Sequence, residues 1–357
     1  MGYVSAKEAA EKWGITQRRV AILCNENRVI GAQTVGNMWI IPDDAQKPVD
    51  GRGMRYQDNK TAILKPFVKW AGGKGQLLSD IRKTYPSELG HEIKKYAEPF
   101  VGGGAVLFDV LSNYDLEAVY ISDINAELIN TYRMIRDNCG DLMALLLKFE
   151  SAYLPLCDDE RKKYYYEKRE RFNELKVNGS SRINLESAAI FIFLNRTCFN
   201  GLYRVNKKGQ YNVPMGAYKN PTICDKENLK SISFALQKVE IVCGDYRESS
   251  MFIDSSTFVY FDPPYRPLNA TSGFTSYTED GFNDIAQRKL SEYVDELTKR
   301  GARIVVSNSD PKNENPEDQF FDRLYSSHKI NRIAASRMIN SNAEARGKIN
   351  ELLICNF

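Results

Sequence analysis

From about residue 65 onward, short apolar segments alternate with amphipathic helical segments, and this alternation constrains the fold more than any other feature of the sequence. Apolar runs separated by helices are typical of βαβ units built around a parallel sheet. The pattern therefore predicts an α/β, doubly wound, Rossmann-like sheet. The expected strands are KYAEPFV, AVYISDI, VEIVCGD, TFVYFDPP, ARIVVSNS and NELLICNF, and the helices between them include AELINTYRMIRDN and DIAQRKLSEYVDELTKRG.

Between about residues 140 and 235 the alternation stops, and the sequence becomes helical, aromatic and basic. The stretch from Arg161 to Lys230 contains fifteen Lys or Arg and six Asp or Glu, a net charge of +9 in a chain whose total is +3. Such a basic block predicts an anionic partner at one face, although RKKYYYEKRERF also fits the solvated face of a helix. We interpret 140–235 as an inserted, mainly helical domain between two halves, 65–139 and 236–357, of the domain that contains the sheet.

Residues 1–48 form a separate pattern, joined to the rest by a polar linker at 49–64. A capping box at Ser5-Ala6-Lys7-Glu8 predicts a short helix, which is expected to end at Gly14. Thr16 is expected to cap a second helix, QRRVAILCNEN. The stretch AQTVGNMWIIP then predicts a hairpin that turns at Gly36-Asn37.

This order of elements resembles the small winged helix-turn-helix modules of excisionase and MerR-type proteins. The resemblance places Gln17, Arg18 and Arg19 at the start of the recognition helix, where contacts with base edges are usually made. Binding to DNA and docking to another protein both remain open for this module.

Composition and residue types exclude several classes of protein. The chain of 357 residues is 43% hydrophobic and 27% charged, as in ordinary globular proteins. No apolar run approaches the roughly 18 residues of a membrane span, and the charged N-terminus is unlike a signal peptide. The seven cysteines include no C-x-x-C pair and there are two histidines, so neither a metal site nor a disulfide framework is expected. We therefore expect a cytoplasmic protein.

Two predicted strands are followed by features that suit an adenosine-containing cofactor. Gly102-Gly103-Gly104 follows the first strand, and glycines let a ligand approach the backbone at the start of a helix. Asp123 ends the next strand, a position from which an acid commonly binds a ribose hydroxyl. Leu107 stands where G-x-G-x-x-G has its third glycine, which disfavours a nicotinamide dinucleotide. A purely structural glycine turn remains the alternative.

The stretch Asp262-Pro263-Pro264-Tyr265 ends the apolar run TFVYF, although it can neither continue a strand nor begin a helix cleanly. The prolines fix φ and remove N–H donors, so the turn presents a carboxylate and carbonyls in a rigid arrangement beside an aromatic face. This arrangement suits a planar base with an exocyclic amine. Asp262 and the Pro263 carbonyl would accept the amine hydrogens and localise the nitrogen lone pair, which could then attack an activated methyl group. Tyr265 as an ordinary core aromatic is the alternative.

With these residues in view, the chain from about 65 to 357 resembles the Dam-type, D12 class of DNA adenine-N6 methyltransferases, which use S-adenosylmethionine. The matching stretches occur in the family's order: FVKWAGGKGQLL, EPFVGGGAV, SDINAELI, NRTCFNGLYRVNKKGQYNVPMGAYKNP, FDPPYRPLNATSGFTSY and RGKINELLICNF. The resemblance does not cover residues 1–60. It implies double-stranded DNA as substrate, a target adenine flipped out of the helix, and an inserted domain that reads the site.

The resemblance also implies roles for individual residues. Catalysis would fall to Asp262, Pro263, Pro264 and Tyr265, and cofactor binding to Trp70, Lys74, Phe100, Gly102, Gly104, Asp123, Asp245 and Asp262. Target recognition would fall to Lys69, Asn200, Leu202, Arg204, Pro214 and Tyr218, around a β-hairpin. The resemblance implies GATC as the target, because these residues fall on positions that the family uses for recognition. Their chemistry is compatible with that target, since Lys and Arg suit guanine acceptors while Leu and Pro suit the thymine methyl group.

Several alternatives stay open at this point. Lys74 could bind a phosphate, although the spacing of a Walker loop is absent. The segment GFTSYTEDGF is predicted to close over a flipped base, with an ordinary surface loop as the alternative. Other functions are N-methylation of RNA or a small molecule, and gene regulation by a helix-turn-helix protein with an inactive methyltransferase domain. We expect a monomer, either solitary, phage-borne or associated with a cognate restriction endonuclease.

Overall fold

The computed structural model describes residues 3–14, 16, 17, 20, 21, 24, 29, 31–36, 38–43, 45, 64–177, 184–266, 282–336 and 348–357. The chain divides into two compact units, residues 1–60 and 61–357. Each unit has its own hydrophobic core.

The first unit contains a small antiparallel sheet and a helix. Its elements are β1 (Tyr3–Ser5), α1 (Ala6–Trp13), β2 (Gln33–Val35) and β3 (Met38–Pro42). Ser5 and Glu8 form the predicted capping box, and α1 ends at Gly14 with a φ of 65°. β2 and β3 form the predicted hairpin, and β1 pairs with the other side of β3. Gln17 lies in helical backbone, as the predicted second helix requires. The winged helix-turn-helix assignment of residues 1–48 stays a prediction.

The second unit is built around a seven-stranded, mostly parallel sheet. Its strands are β4 (Lys95–Glu98), β5 (Ala118–Asp123), β6 (Val239–Cys243), β7 (Thr257–Phe261), β8 (Arg303–Ser309), β9 (Lys329–Ser336) and β10 (Lys348–Cys355). Their order across the sheet is β6-β5-β4-β7-β8-β10-β9. The first five run parallel, and β10 runs antiparallel to both of its neighbours. All six predicted strands are present, which confirms the α/β class.

The sequence did not predict β9. This strand contains Lys329, Asn331 and Arg332, and it lies at the edge of the sheet beside β10. An edge strand can leave polar side chains in solvent, so its sequence carries a weaker apolar signal than a central strand does.

Helices cover both faces of this sheet. In chain order they are α2 (Leu78–Ile81), α3 (Ala105–Asn113), α4 (Ala126–Asp137), α5 (Cys139–Tyr153), α6 (Asp158–Val177), α7 (Leu185–Thr197), α8 (Lys226–Ala235), α9 (Asp284–Lys299) and α10 (Phe320–Leu324). Phe258 and Tyr260 of β7 join the core that contains α3, α4 and α7, whereas Val259 and Phe261 join the core that contains α9. Burial on both faces explains why β7 is apolar throughout. Within the described residues, no helix has the length and apolar content needed to cross a bilayer.

Helices α5 to α8 occupy the segment in which the alternation of strands and helices stops. The residues from 188 to 194 in α7 are all buried and belong to the same hydrophobic core as one face of the sheet. The core therefore continues from the sheet into the segment interpreted as an insertion. The boundaries at 65–139, 140–235 and 236–357 stay a prediction.

Candidate active site

The candidate site lies at the carboxyl edge of three neighbouring parallel strands, β5, β4 and β7. The glycine turn 102–104 follows β4, Asp123 ends β5, and Asp262 follows β7. Parallel strands end at the same edge of a sheet, so residues far apart in sequence meet there. The structure thus brings together the glycine turn, Asp123 and the Asp-Pro-Pro-Tyr turn.

Asp262 is held by two donors from different parts of the chain. The Lys74 ammonium lies 2.7 Å from Oδ2 of Asp262, and the Ser307 hydroxyl donates to Oδ1 at 2.7 Å. Lys74 is 3% exposed and also donates to the Gly72 carbonyl at 2.7 Å. A buried ion pair with further hydrogen bonds has a defined geometry, so the Asp262 carboxylate has a fixed orientation.

Tyr265 presents its ring beside this carboxylate. The Lys74 ammonium lies 4.7 Å from the centre of the Tyr265 ring. The Tyr265 hydroxyl donates to Oε2 of Glu351 at 2.6 Å. Burial raises the pKa of the Tyr265 phenol well above its usual value, and burial also raises the pKa of the Glu351 carboxyl. The ring is therefore anchored at its hydroxyl end by a half-buried carboxyl group.

The backbone between Asp262 and Tyr265 is fixed by buried amide side chains. Gln287 donates to the Pro264 carbonyl at 3.2 Å, and Asn308 in turn donates to the side-chain oxygen of Gln287 at 3.2 Å. Both amide residues are fully buried. The Pro264 carbonyl therefore accepts a hydrogen bond within the protein, and the acceptors that the sequence predicted for the amine are the Asp262 carboxylate and the Pro263 carbonyl.

Arg266 anchors the residue that follows Tyr265. Its guanidinium lies 2.6 Å from an Asp284 carboxylate oxygen and 2.7 Å from an Asp318 carboxylate oxygen. These ion pairs join the end of the turn to the start of α9 and to the loop before α10. The turn is thus supported on both sides by side chains from other elements.

A second carboxyl group near Asp262 and Lys74 is fully buried. Glu98 ends β4, is 2% exposed, and accepts a hydrogen bond from the Tyr96 hydroxyl at 2.7 Å. Burial raises the pKa of Glu98 well above its usual value, and the Asp262 charge adds to this, while the Tyr96 hydrogen bond and the Lys74 charge oppose it.

The glycine turn is shaped by close packing as well as by its backbone conformation. Gly102 and Gly104 have φ values of 47° and 72°. A Cβ on Gly102 would lie 2.8 Å from Cδ1 of Trp70, and one on Gly104 would collide with the Tyr132 hydroxyl. Both positions therefore require glycine on structural grounds, whatever ligand approaches the turn.

Asp123 lies beside this turn. Its carboxylate accepts hydrogen bonds from the backbone N–H of Gly102 at 3.2 Å and of Asn125 at 2.9 Å. Burial raises the pKa of Asp123, and these backbone hydrogen bonds oppose the shift. The next residue, Ile124, leaves 51% of its surface exposed. A carboxylate beside an exposed apolar side chain can accept hydroxyl groups and pack against a ring at the same place.

Phe100 and Asp245 are connected through Tyr246. The Phe100 ring stacks on that of Tyr246, with centres 5.3 Å apart, and meets the Phe282 ring edge-on at 5.7 Å. Asp245 caps the short helical turn that begins at Tyr246, and its Oδ1 lies 2.7 Å from Nε of Arg247. The Asp245 carboxylate, which the resemblance assigns to the cofactor, is therefore paired with an arginine.

The predicted recognition residues Lys69 and Tyr218 contact each other. The Lys69 ammonium lies 2.9 Å from the Tyr218 hydroxyl and 4.2 Å from the centre of its ring. The buried amide of Asn195 accepts from the Lys69 N–H at 2.8 Å and donates to the carbonyls of Lys69 at 2.8 Å and Gly201 at 3.0 Å. Asn195 therefore joins the segment of Lys69 to the segment between Asn200 and Leu202.

The predicted hairpin is present, although it is stabilised by isolated bridges rather than by continuous strands. Cys198 bridges to Met215 and Val205 bridges to Tyr211, and the chain turns at Gly209. Along this hairpin Asn200 has a φ of 54°, Arg204 Nε donates to the Asn212 side chain at 2.8 Å, and Pro214 accepts from the Phe199 N–H at 2.9 Å. Asn200, Arg204 and Pro214 are exposed, as contact with DNA would require.

The remaining predicted residues lie in the first unit. Gln17 is exposed, whereas Arg18 and Arg19 lie outside the described residues. Within the part of the chain that the structure describes, no group of His, Cys, Asp and Glu side chains could hold a metal ion.

Sequence reasoning missed several residues that contact the site. Ser307, Gln287, Asn308 and Glu351 bind the Asp-Pro-Pro-Tyr turn, and Asn195 holds two predicted recognition segments. One signal was present for Glu351, a single carboxylate ahead of the apolar run LLIC in a predicted strand. The contacts themselves are long-range in sequence and could not be predicted from local patterns.

Comparison with known proteins agrees with this geometry. The family model described as D12 class N6 adenine-specific DNA methyltransferase matches residues 70–339. The chain is 47% identical over 296 residues to the Type II methyltransferase M.MjaIII of Methanocaldococcus jannaschii, covering 82% of this chain and 99% of that protein. It is 38% identical to the Type II methyltransferase M1.LlaDCHI of Lactococcus lactis subsp. cremoris, with coverage of 82% and 96%. It is 35% identical to the DNA adenine methylase of Vibrio cholerae, with coverage of 81% and 95%.

The fold and the site thus define a DNA-modifying transferase of the mostly parallel α/β type. The chain belongs to the D12 class of N6 adenine-specific DNA methyltransferases. This confirms the family expected from the sequence and the enzyme class, an adenine-specific DNA methyltransferase.

Proposed function

We propose that this enzyme transfers a methyl group from S-adenosylmethionine to N6 of the adenine in GATC of duplex DNA, after flipping that adenine out of the helix. The observation that carries the proposal is the cup formed by the Asp262 carboxylate and the Tyr265 ring. A carboxylate of fixed orientation beside an anchored aromatic face suits a flat base with one exocyclic amine.

Asp262 and Pro263 have the first role in the proposed mechanism. The Asp262 carboxylate and the Pro263 carbonyl each accept one hydrogen of the adenine amine. This draws the nitrogen away from the planar geometry in which its lone pair is delocalised into the ring. The localised lone pair forms the new N–C bond, and the nitrogen, now positively charged, passes one of its two protons to the Asp262 carboxylate and from there to solvent.

Tyr265 has the second role. A flipped base is usually bound by stacking against aromatic side chains. The Tyr265 ring is held by Glu351 at its hydroxyl, so it provides a rigid platform rather than a mobile one. The segment GFTSYTEDGF, predicted to close over the base, lies outside the described residues apart from Phe282.

The residues around Asp123 suit the methyl donor. When bound, S-adenosylmethionine supplies a methyl group on a positively charged sulfur, and its transfer leaves the electron pair of the broken carbon–sulfur bond on that sulfur. The Asp123 carboxylate would accept the ribose hydroxyls, and the exposed Ile124 side chain would pack against the adenine ring. Trp70, Phe100, Gly102 and Gly104 line the same edge of the sheet, and Lys74 and Asp245 would contact the donor after leaving their present partners, as the resemblance implies.

The recognition residues would face DNA from the hairpin and from the segment before Trp70. Lys69 and Arg204 offer donors to guanine, while Leu202 and Pro214 offer apolar contact to thymine. Asn200 and Tyr218 would complete the set. Relatives named DNA adenine methylase support adenine as the target, and the residues 140–235 would form the domain that reads the site.

The setting of the enzyme is also part of this proposal. Relatives at 47% and 38% identity are named Type II methyltransferases. They support a restriction-modification role, with a cognate endonuclease as a functional partner. In this proposal the enzyme works as a monomer in the cytoplasm, and residues 1–48 add a winged helix-turn-helix that contacts DNA.

Plasmid methylation in expressing cells tests the function directly. The wild-type enzyme should protect the plasmid from a nuclease that is blocked at methylated GATC, and Asp262→Ala should abolish protection while thermal unfolding stays cooperative. Asp137→Ala, which changes an acid on the outer surface of α4, is the matched control and should protect fully.

Three results would contradict the proposal. Plasmid that is still cut despite measurable methyl transfer by the purified enzyme would overturn GATC. Methyl transfer by Asp262→Ala near the wild-type rate would overturn the mechanism. Methylation of RNA but not DNA by the purified enzyme would favour the alternative substrate.

A further inference from the structure

Glu351 is a carboxylate in an apolar strand. It lies in β10, between β8 and β9, and is followed by Leu352, Leu353 and Ile354, all buried. Its Oε2 accepts the Tyr265 hydroxyl at 2.6 Å across 86 residues of sequence. A charged side chain in the middle of a sheet is costly unless it is paired, so its contact with Tyr265 calls for an explanation.

We propose that Glu351 is a positioning residue for methyl transfer, which holds the hydroxyl end of the Tyr265 ring in place and makes the ring face more negative toward the cation that forms above it. This inference rests on the proposed function, since the cation is the adenine amine nitrogen as it gains the methyl group. Glu351 does not touch the substrate in this scheme and acts through Tyr265.

Geometry supports the positioning part. A tyrosine has two side-chain torsions, so a ring held only at Cβ can still tilt. The hydroxyl bond to Glu351 fixes the far end of the ring, while the Gln287 bond to the Pro264 carbonyl fixes the backbone before it. With both ends held, the ring is available for stacking without loss of side-chain entropy at the moment of binding.

The Lys74 ammonium supports the electrostatic part. In the free protein a cation already lies 4.7 Å from the centre of the Tyr265 ring, at the Asp262 carboxylate. Aromatic faces attract cations through their quadrupole. A phenol that donates to a carboxylate gains electron density, so its face attracts a cation more strongly. The amine nitrogen becomes positive beside the same carboxylate during transfer.

The titration of Glu351 adds a signature that a structural role would lack. Burial raises its pKa, Asp262 adds to the shift, and Lys74 and the Tyr265 hydrogen bond oppose it. Its cross-strand neighbours, Ser309 and Ile333, carry no charge. Protonation of Glu351 therefore occurs at a higher pH than for an ordinary glutamate, and the effect on the ring disappears as pH falls through that value.

The test is a double-mutant cycle of Glu351→Gln and Tyr265→Phe in the full-length enzyme, assayed on a duplex oligonucleotide with one GATC. Each single variant should lower kcat by roughly three- to thirty-fold, the range of a cation–π contribution. KM for DNA and for S-adenosylmethionine should change by less than about twofold. The double variant should be no slower than the slower single variant, because both changes remove the same interaction.

Tyr85→Phe is the matched control. Tyr85 donates to the Asp109 carboxylate at 3.0 Å and packs against Phe258 in the first half of β7, away from the cup. The substitution Tyr85→Phe removes a tyrosine–carboxylate hydrogen bond of the same kind and should leave kcat unchanged. The pH–rate profile of the wild-type enzyme should show a fall in kcat at acid pH that is assigned to Glu351. This acid limb should be absent from the profiles of Glu351→Gln and Tyr265→Phe.

Wild-type kcat in Glu351→Gln, or losses that multiply in the double variant, would overturn the inference. An equal loss of kcat in Tyr85→Phe would show a general effect on packing and would overturn the inference as well. If Glu351→Gln fails to fold, the comparison of Tyr265→Phe with the wild type still tests the inference. An acid limb in Tyr265→Phe that equals that of the wild type would contradict it. Asp262→Ala distinguishes a failure of the proposed mechanism from a failure of this inference. Methyl transfer by Asp262→Ala near the wild-type rate would overturn the proposed mechanism on which this inference rests, whereas an inactive Asp262→Ala with a fully active Glu351→Gln would overturn only this inference.

Discussion

The Lys74 ammonium lies 2.7 Å from Oδ2 of Asp262 and so occupies an acceptor that the proposed mechanism assigns to the adenine amine. A primary amine of the protein thus stands where a primary amine of the substrate would bind. Substrate entry requires Lys74 to move or to share this oxygen. Lys74 is buried, so removal of either partner would leave the other charge without its compensation.

The first prediction concerns this pair. Lys74→Met should lower the free energy of unfolding by roughly 3–5 kcal/mol, because it leaves the Asp262 charge partly buried without its partner. The double variant Lys74→Met/Asp262→Asn should recover much of the loss. Urea unfolding followed by tryptophan fluorescence measures both. Lys94→Met, which breaks an exposed pair with Glu117, should cost less than about 1 kcal/mol. An equal loss of unfolding free energy in Lys74→Met and Lys94→Met would contradict the prediction.

The second prediction concerns base recognition by the hairpin. Arg204→Ala should cost roughly 1–3 kcal/mol of discrimination at one base pair, because an arginine that reads a guanine edge contributes to one position. The measurement is kcat/KM on duplexes that carry each single-base change in GATC. Lys207→Ala, an exposed change near the hairpin tip, should weaken methylation of all duplexes similarly. A uniform loss for Arg204→Ala would assign that residue to the backbone instead.

The third prediction concerns Asn195. Asn195→Asp keeps the acceptor for the Lys69 N–H but removes the donor to the carbonyls of Lys69 and Gly201. Leaving the buried Gly201 carbonyl unpaired should destabilise the enzyme by roughly 1–3 kcal/mol, and the partly buried Lys69 carbonyl should add less. It should also reduce discrimination against single-base changes in GATC, because the two recognition segments lose their common anchor. Urea unfolding tests the loss of stability, and kcat/KM ratios for the altered duplexes test the loss of discrimination. Full discrimination in a destabilised Asn195→Asp would refute the predicted role in recognition.

The fourth prediction concerns residues 1–50. Their removal should weaken DNA binding and make it less dependent on salt concentration, because a protein with fewer phosphate contacts releases fewer counterions when it binds. Methylation of short duplexes should persist, since every candidate catalytic residue lies beyond residue 65 and the second unit has its own core. Titration by fluorescence anisotropy at several salt concentrations is the measurement. Unchanged affinity and slope would favour a role in docking to another protein, and the substitution of Arg18 and Arg19 by alanine serves as the finer comparison.

The fifth prediction concerns the pH dependence of stability. Burial raises the pKa of Glu98 in the folded protein, so the folded state binds a proton more tightly than the unfolded state does. The free energy of unfolding should therefore fall as pH rises from the ordinary value near 4.5 toward the raised value. Glu98→Gln resembles the protonated form, and its unfolding free energy should fall less over the same range. Parallel curves for the two proteins would show that Glu98 does not titrate there.

Local pattern was sufficient where one segment carries the whole signal. The apolar runs that became β4, β5, β7, β8 and β10 are interior strands in which most apolar residues are buried, so their composition alone revealed them. β6 lies at an edge of the sheet and was revealed by the buried, apolar Val239 and Ile241. The capping box at Ser5 depends on residues three positions apart, so the start of α1 could be predicted from the sequence. The Asp-Pro-Pro-Tyr turn was distinctive because proline restricts its backbone whatever the surroundings.

The sequence by itself determined the α/β class, the position of the candidate site at the strand ends, and the family. Only the tertiary structure decided which side chains hold that site: Lys74 and Ser307 on Asp262, Glu351 on Tyr265, Gln287 on Pro264, and Asn195 between Lys69 and Gly201. Each of these contacts joins residues far apart in the chain. Their geometry follows from the order of strands in the sheet and from packing, and a linear pattern carries neither.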